Sequence, residues 1–209
     1  ILTLAKRYKD IIRSRYPGGK IIALDYKSLE PRIILAAQGR PAPRDIYADV
    51  VDNIFNGMIT RLQAKAVTIS LLYGASDATI EQVSGLHGAD LKNAIDGISS
   101  FFGLIDFDER LLDEARKHHR ILNFYGRPVA EGDRRKLGNR YAQSSAVDAA
   151  ILGFAGAIEL IKENSWRIHP LYNIHDAMLF DVHPDDGGYL DKVEERCEQV
   201  PGFTVAFPV

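Results

Sequence analysis

The sequence predicts an α+β fold. Three observations carry that reading: a short β-branched run at Lys20 to Asp25, a long stretch of helical patterning behind it, and a return to strand-like patterning at Ile168 to His183. Strands separated by many helices suit one sheet interrupted by a helical insertion. Of the 209 residues, 46% are hydrophobic, enough to bury a core.

The elements are expected in this order. Ile1 to Tyr16 reads as helical and is stopped by Pro17-Gly18-Gly19. Lys20 to Asp25 is a strand, and Leu29 to Gln38 a helix with Gly39 near its end. Asp45 to Phe55 and Thr60 to Tyr73 form two helices around the turn at Asn56-Gly57. Ala75 to Arg120 is helix-rich, with breaks at Gly85, Gly88 and Gly103. Leu122 to Val129 patterns as a hairpin around Tyr125-Gly126, and Leu137 to Glu163 as a long helix. Ile168 to His183 reads as two strands hinged near His175-Asp176. A last helix from about Gly188 to Gln199 precedes a terminal strand, Phe203 to Val209.

Composition narrows the function classes. One cysteine, Cys197, permits no internal disulfide, and no Cys/His spacing suggests a zinc site. The longest apolar run, Ala149 to Ile158, is ten residues, half of a bilayer span, and no targeting segment is visible, so no membrane association and a cytoplasmic location are expected. The net charge of −2 hides two opposite regions. Between Ala115 and Arg140 there are eight Lys/Arg against two Asp/Glu; between Asp181 and Glu198 there are seven acids against two bases. A basic stretch fits either a solvated helix face or a phosphate-tracking surface.

Two aspartates stand at strand ends. Asp25 closes the first strand, and Asp176 sits at the strand-to-strand turn after His175. A carboxylate at the mouth of an apolar strand is costly to bury unless paired or bound to a cation, and two together repel unless a divalent ion lies between them. Oxygen donors favour Mg²⁺. Taken alone, either aspartate reads equally as a turn or cap residue. Arg61, Lys65, Ile69 and Tyr73 follow one another at i, i+4 steps and so share one broad helix face. The segment Thr60 to Tyr73 holds no acid, so a guanidinium and an ammonium one turn apart form a clamp suited to a triphosphate. The same pattern also describes an amphipathic helix with two surface cations.

Four segments in order resemble the bacterial DNA polymerase I family (family A), including split or phage-type members. Asp25-Tyr-Lys-Ser-Leu-Glu-Pro-Arg-Ile33 resembles motif A; Arg61-Leu-Gln-Ala-Lys65 with Leu72-Tyr73-Gly74 resembles motif B. Asn139-Arg-Tyr-Ala-Gln143-Ser-Ser-Ala-Val-Asp148 is similar to the family's Asn/Gln/Asp helix, and Ile174-His175-Asp176-Ala-Met-Leu-Phe180 to motif C. Tyr125-Gly126-Arg127 fits the turn before the Gln helix. The resemblance covers almost the whole chain. It implies an α+β polymerase palm, a small antiparallel sheet with flanking helices, at residues 1–40 and 129–209, with a helical fingers insertion at 41–128.

The resemblance also implies roles. Asp25 and Asp176 would hold two Mg²⁺ ions, with the Tyr26 carbonyl as a further ligand. Arg61, Lys65, Ile69 and Tyr73 would bind the incoming deoxynucleoside triphosphate, Lys65 also serving the chemistry. Glu30, held by Tyr73, would act as the steric gate against a ribose 2′-OH. Arg135, Asn139, Gln143 and His175 would touch primer–template DNA. The implied activity is template-directed addition of deoxynucleotides to a primer 3′-OH by two-metal phosphoryl transfer.

Departures are specific. Ile69 stands where an aromatic residue is usual, Ala177 where a second acid follows the motif C aspartate, and Tyr47 where a histidine is common. Only 24 residues precede Asp25, and the first is Ile1 rather than Met. The chain is therefore expected to lack a thumb, and to work with a second polypeptide or a missing N-terminal region supplying thumb and exonuclease. Glu30 argues against a single-subunit RNA polymerase relative. Ala177 and Ile69 keep open a non-catalytic DNA-binding or assembly subunit derived from a polymerase.

Overall fold

The structure, a computed structural model, describes residues 12–129 and 137–209. Its strands are β1 (Lys20–Asp25), β2 (Ile168–Ile174) and β3 (Ala177–Val182). Its helices are α1 (Leu29–Ala36), α2 (Ile46–Phe55), α3 (Arg61–Leu72), α4 (Asp77–Ser84), α5 (Gly88–Phe102), α6 (Leu104–His118), α7 (Leu137–Glu163) and α8 (Leu190–Glu198). The fold is α+β: among the described residues the strands form one antiparallel sheet in the order β1-β3-β2. The chain divides into two units. The first comprises Ile1–Leu29 and Ala146–Val209, and the second, Glu30–Ser145, is inserted between those two stretches.

In the first unit, β3 is the central strand. β2 and β3 are joined by the two-residue turn His175-Asp176, and His175 takes a positive φ of 56° that a non-glycine residue adopts only at some cost. The register of β2 shifts between Pro170 and Tyr172, where Pro170 has no N–H to give to the ladder. Leu24, Phe180, Val182, Phe154, Ile161, Val193 and Cys197 are buried and form this unit's core.

Two glycines of α7 let neighbours approach its backbone. A Cβ at Gly153 would overlap the Tyr26 hydroxyl and lie 2.8 Å from the Cys197 carbonyl oxygen; one at Gly156 would overlap the Arg196 guanidinium. The space at Gly153 is used by a buried hydrogen bond of 2.6 Å, donated by the Tyr26 hydroxyl to the Cys197 carbonyl, while the Tyr26 ring packs on Phe154 at 5.2 Å. Burial pushes the Cys197 thiol up to about 12, outweighing the pull of Arg196.

Two expectations differ from the structure and a third, the hairpin, is met. Of the helix expected over Ile1 to Tyr16, residues 1–11 lie outside the described residues, and residues 12–16 are irregular, because Ser14 and the Arg15 N–H and guanidinium all donate to the buried Asp181 carboxylate of β3. The C-terminal segment is not a strand. Pro208 lacks a donor, Phe207 is buried, and the segment is tied instead by Phe207 N–H to the Glu198 carbonyl and Lys27 N–H to the Pro208 carbonyl. Residues 122–129 turn as the expected hairpin, with the antiparallel bridge Leu122–Pro128 and backbone bonds from Asn123 N–H to the Arg127 carbonyl and from Val129 N–H to the Ile121 carbonyl. Buried Asn123 supports the turn, its side-chain oxygen accepting from Tyr125 and Arg127 N–H and its amide donating to Ser144.

In the second unit the helices stop and start where their caps dictate. Asp45 caps α2 through the N–H groups of Tyr47 and Ala48, and Thr60 with Gln63 forms a capping box on α3. Gly85 and Gly103 end α4 and α5 in the left-handed region, whereas Gly88 opens α5 rather than breaking a helix. Ile33, Ile46, Val67, Ile80, Ile98, Phe102 and Phe107 are buried. The 27-residue α7 is long and apolar enough to cross a bilayer by length and composition, and half of its most apolar stretch is packed inside the protein.

Two stability measurements test this packing. Gly153→Ala should lower the unfolding free energy by about 1–3 kcal/mol, the range for overpacking, and urea unfolding reads it; an unchanged midpoint would contradict the close approach of Tyr26. Asp186 and Asp181 supply a pH test. The Arg167 guanidinium and N–H hold Asp186 below its ordinary value. Burial pushes Asp181 up, but Ser14 and Arg15 outweigh it and the net direction is down. A carboxyl depressed in the folded state stabilises above its unfolded pKa, near 4, and loses that contribution as pH falls through the folded value. The gap in melting temperature between wild type and Asp186→Asn should therefore be widest at neutral pH and close as pH drops below about 4.

Candidate functional site

The first unit brings Asp25 and Asp176 side by side. In the β1–β3 ladder Asp25 stands opposite Ala177, the residue after Asp176, and Tyr26 N–H donates to the Asp176 carbonyl at 3.2 Å. Both aspartates thus lie at the same end of the sheet. Asp25 is exposed, Asp176 half-buried, and His175 exposed beside it. The Tyr26 side chain points into the core, leaving only its backbone for this end of the sheet.

Ala177 contributes no third carboxylate opposite Asp25. Among the described residues no three His, Cys, Asp or Glu are grouped to cage a metal ion. Two hard carboxylates with a nearby backbone fit Mg²⁺, which keeps waters and takes substrate phosphates for its remaining positions. They do not fit a closed structural metal site.

The second unit carries the cations. On α3, Ala64, Val67, Thr68 and Leu72 are buried, while Arg61, Lys65, Ile69 and Tyr73 form the exposed face that their spacing predicts. Arg61 is not without an acid, however. Asp45, the cap of α2, accepts from its Nε at 2.9 Å. Burial pushes the Asp45 carboxyl up, but the bonds from Arg61, Ala48 and Tyr47 outweigh it, so the group lies below its ordinary value. The buried Tyr47 ring lies under both cations, 5.5 Å from the Arg61 guanidinium carbon and 5.9 Å from Lys65 Nζ.

Glu30 sits in the first turn of α1, where a negative charge suits the helix dipole and Pro31 is tolerated. The Tyr73 hydroxyl donates to its Oε1 at 3.5 Å, a long bond between the two residues that the family resemblance pairs. Asn139 and Gln143 lie one turn apart on α7, both half-buried. Arg135 falls outside the described residues. Tyr47 was noted only as a departure from a common histidine, and Asp45 was not singled out; the available signal for Asp45 was an Asp before an apolar helical run, which marks a cap and says nothing of Arg61.

The fold is that of part of a polymerase POL domain. It matches the POL domain of Pol1 from M. smegmatis, solved in complex with DNA primer-template and dNTP, with a TM-score of 0.69 and 22% identity, over 90% of this chain and 38% of that one. No protein-family model matches the chain. In sequence it is 24% identical over 195 residues to DNA polymerase I of Chloroflexus aurantiacus, covering 81% of this chain and 21% of that protein. It is 26% identical over 178 residues to a DNA polymerase of Mycobacterium phage D29, covering 78% and 29%. It is 26% identical over 179 residues to DNA polymerase I of Bacillus subtilis, covering 79% and 20%. The chain is related to a region of the family A, DNA polymerase I-type enzymes, as the motifs indicated. It spans between about a fifth and less than a third of the length of these curated relatives.

Proposed function

We propose that this polypeptide carries the catalytic palm and fingers of a template-directed DNA polymerase. The observation that carries the reading is the pairing of β1 with β3, which sets Asp25 beside Asp176 at one end of the sheet. In this reading the strand-bearing unit is palm and the inserted helical unit is fingers.

Asp25, Asp176 and the Tyr26 carbonyl would hold Mg²⁺, which when bound supplies charge stabilisation for the attacking and leaving oxygens of phosphoryl transfer. The chain's own residues do the rest. Arg61 and Lys65 bind the triphosphate and offset charge on the departing pyrophosphate. Tyr73 offers a ring to the nascent pair, and its hydroxyl orients Glu30. Glu30 fills the space a 2′-OH would need, so selection among sugars is steric. Ile69 is aliphatic, so it packs against the nucleotide without stacking on it. Asn139, Gln143, His175 and Arg135 contact primer–template DNA, the first three as hydrogen-bonding groups and Arg135 through phosphate. The relatives' greater length supports a further proposal: additional polypeptide, in the same chain or a partner, supplies the grip on the duplex.

The second reading is a DNA-binding or assembly subunit without catalysis. It is favoured by Ala177, which leaves two carboxylates rather than three at the end of the sheet. Primer extension separates the two readings. Mg²⁺-dependent incorporation, reduced on the order of 100-fold or more by Asp25→Asn and by Asp176→Asn, is the expected result. DNA binding with no incorporation, even when further polymerase segments are added, supports the subunit. Processive synthesis by the 209 residues alone would remove the need for additional polypeptide.

Glu30→Ala tests the sugar gate within the same assay. It should raise the ratio of ribonucleotide to deoxyribonucleotide incorporation while primer binding stays the same. An unchanged ratio in an active variant rules out the gate.

A further inference from the structure

Arg61 and Lys65 are one helical turn apart, carry like charge and are both exposed, so each should drift away from the other into solvent. They do not. Both cations stand over the face of Tyr47, at 5.5 and 5.9 Å from its ring centre. The ring itself is buried, with 4% of its surface exposed, so it is a fixed platform. It is fixed from below as well, since its own N–H donates to Asp45 Oδ1 at 3.1 Å in the cap of α2. Asp45 Oδ2 then takes Arg61 Nε at 2.9 Å. Only the Nε edge of that guanidinium is used: Nη1 and Nη2 make no hydrogen bond to any described residue, and neither does Lys65 Nζ.

We propose that Tyr47 is a positioning residue, whose buried ring gathers Arg61 and Lys65 so that their unused donors converge on the phosphate chain of a nucleoside triphosphate. The inference rests on the reading of Arg61 and Lys65 as the triphosphate clamp and assigns the means by which that clamp is assembled. The physical reason is entropic and electrostatic together. A free Arg or Lys side chain loses considerable rotamer freedom when it binds an anion, and a clamp already held in place loses less. The negative face of an aromatic ring attracts both cations without adding a second carboxylate to Asp45, which already pairs with Arg61 Nε, so Lys65 keeps its charge and Arg61 its Nη donors for the ligand. A second carboxylate in the ring's position would gather the cations equally well but would cancel the charge that Asp45 leaves.

The test is binding by the full chain of two probes, a deoxynucleoside triphosphate with Mg²⁺ and inorganic tripolyphosphate, with the nucleoside alone as control. Arg61→Ala and Lys65→Ala establish whether this is a polyphosphate site at all; if neither weakens tripolyphosphate binding, the clamp reading falls and the positioning role falls with it. If they do weaken it, Tyr47→Phe should bind nearly as wild type, since the ring remains. Tyr47→Leu should weaken both polyphosphate probes by about three- to tenfold, the scale of a cation–π contact. That loss should vanish in the Arg61→Ala, Lys65→Ala background. Replacing Tyr47 by phenylalanines of increasing ring fluorination keeps the shape and drains the ring's negative face, so affinity should fall stepwise with each fluorine. Wild-type affinity across that fluorinated series, with Arg61→Ala still impaired, overturns the proposal even if Tyr47→Leu fails to fold.

Discussion

The antiparallel ladder between β1 and β3 fixes the geometry at the aspartate end of the first unit. Its register puts Asp25 opposite Ala177, and the tight turn before β3 leaves Asp176 as the next residue. A slip of one residue would turn every side chain of β1 to the other face, moving Leu24 out of the core and Asp25 into it. Burial of Leu24 and Phe180 therefore holds the acidic end in place as surely as any contact between the acids themselves. The turn contributes in a second way. His175 accepts a left-handed conformation so that only two residues join the strands, and no slack remains to carry Asp176 away from β1.

The second unit solves the opposite electrostatic problem, which is to keep two cations together. The cap of α2 does this with residues that already have a structural task. Asp45 satisfies orphan N–H groups at the helix start and holds Arg61 with its other oxygen, so one carboxylate couples the helix boundary to the exposed face of α3.

Much of this was legible in the sequence because it is local. β1 and α7 have the predicted bounds, and α2 and α3 differ from prediction only by their cap residues, since apolar periodicity and caps act over a few residues. The two aspartates could be paired in advance only by resemblance to a family, because nothing at Asp25 in the sequence points to Asp176. Misreadings arose where a distant side chain overrode local propensity. Asp181 holds residues 14 and 15 out of a helix. The link from Asp45 to Arg61 was invisible for the same reason: it joins two helices across a turn whose geometry no short-range rule supplies.

Cys197 has a practical consequence. It is the chain's single cysteine, it is fully buried, and its proton is held far above the range in which thiols react. Its carbonyl is also the acceptor for the Tyr26 hydroxyl, one residue from Asp25. An alkylating reagent can therefore reach this sulfur only when α8 lifts from its neighbours and the Tyr26 bond opens. The rate of modification becomes a clock for local breathing of the seam behind the acidic end of the sheet, built into the natural sequence and needing no engineered label.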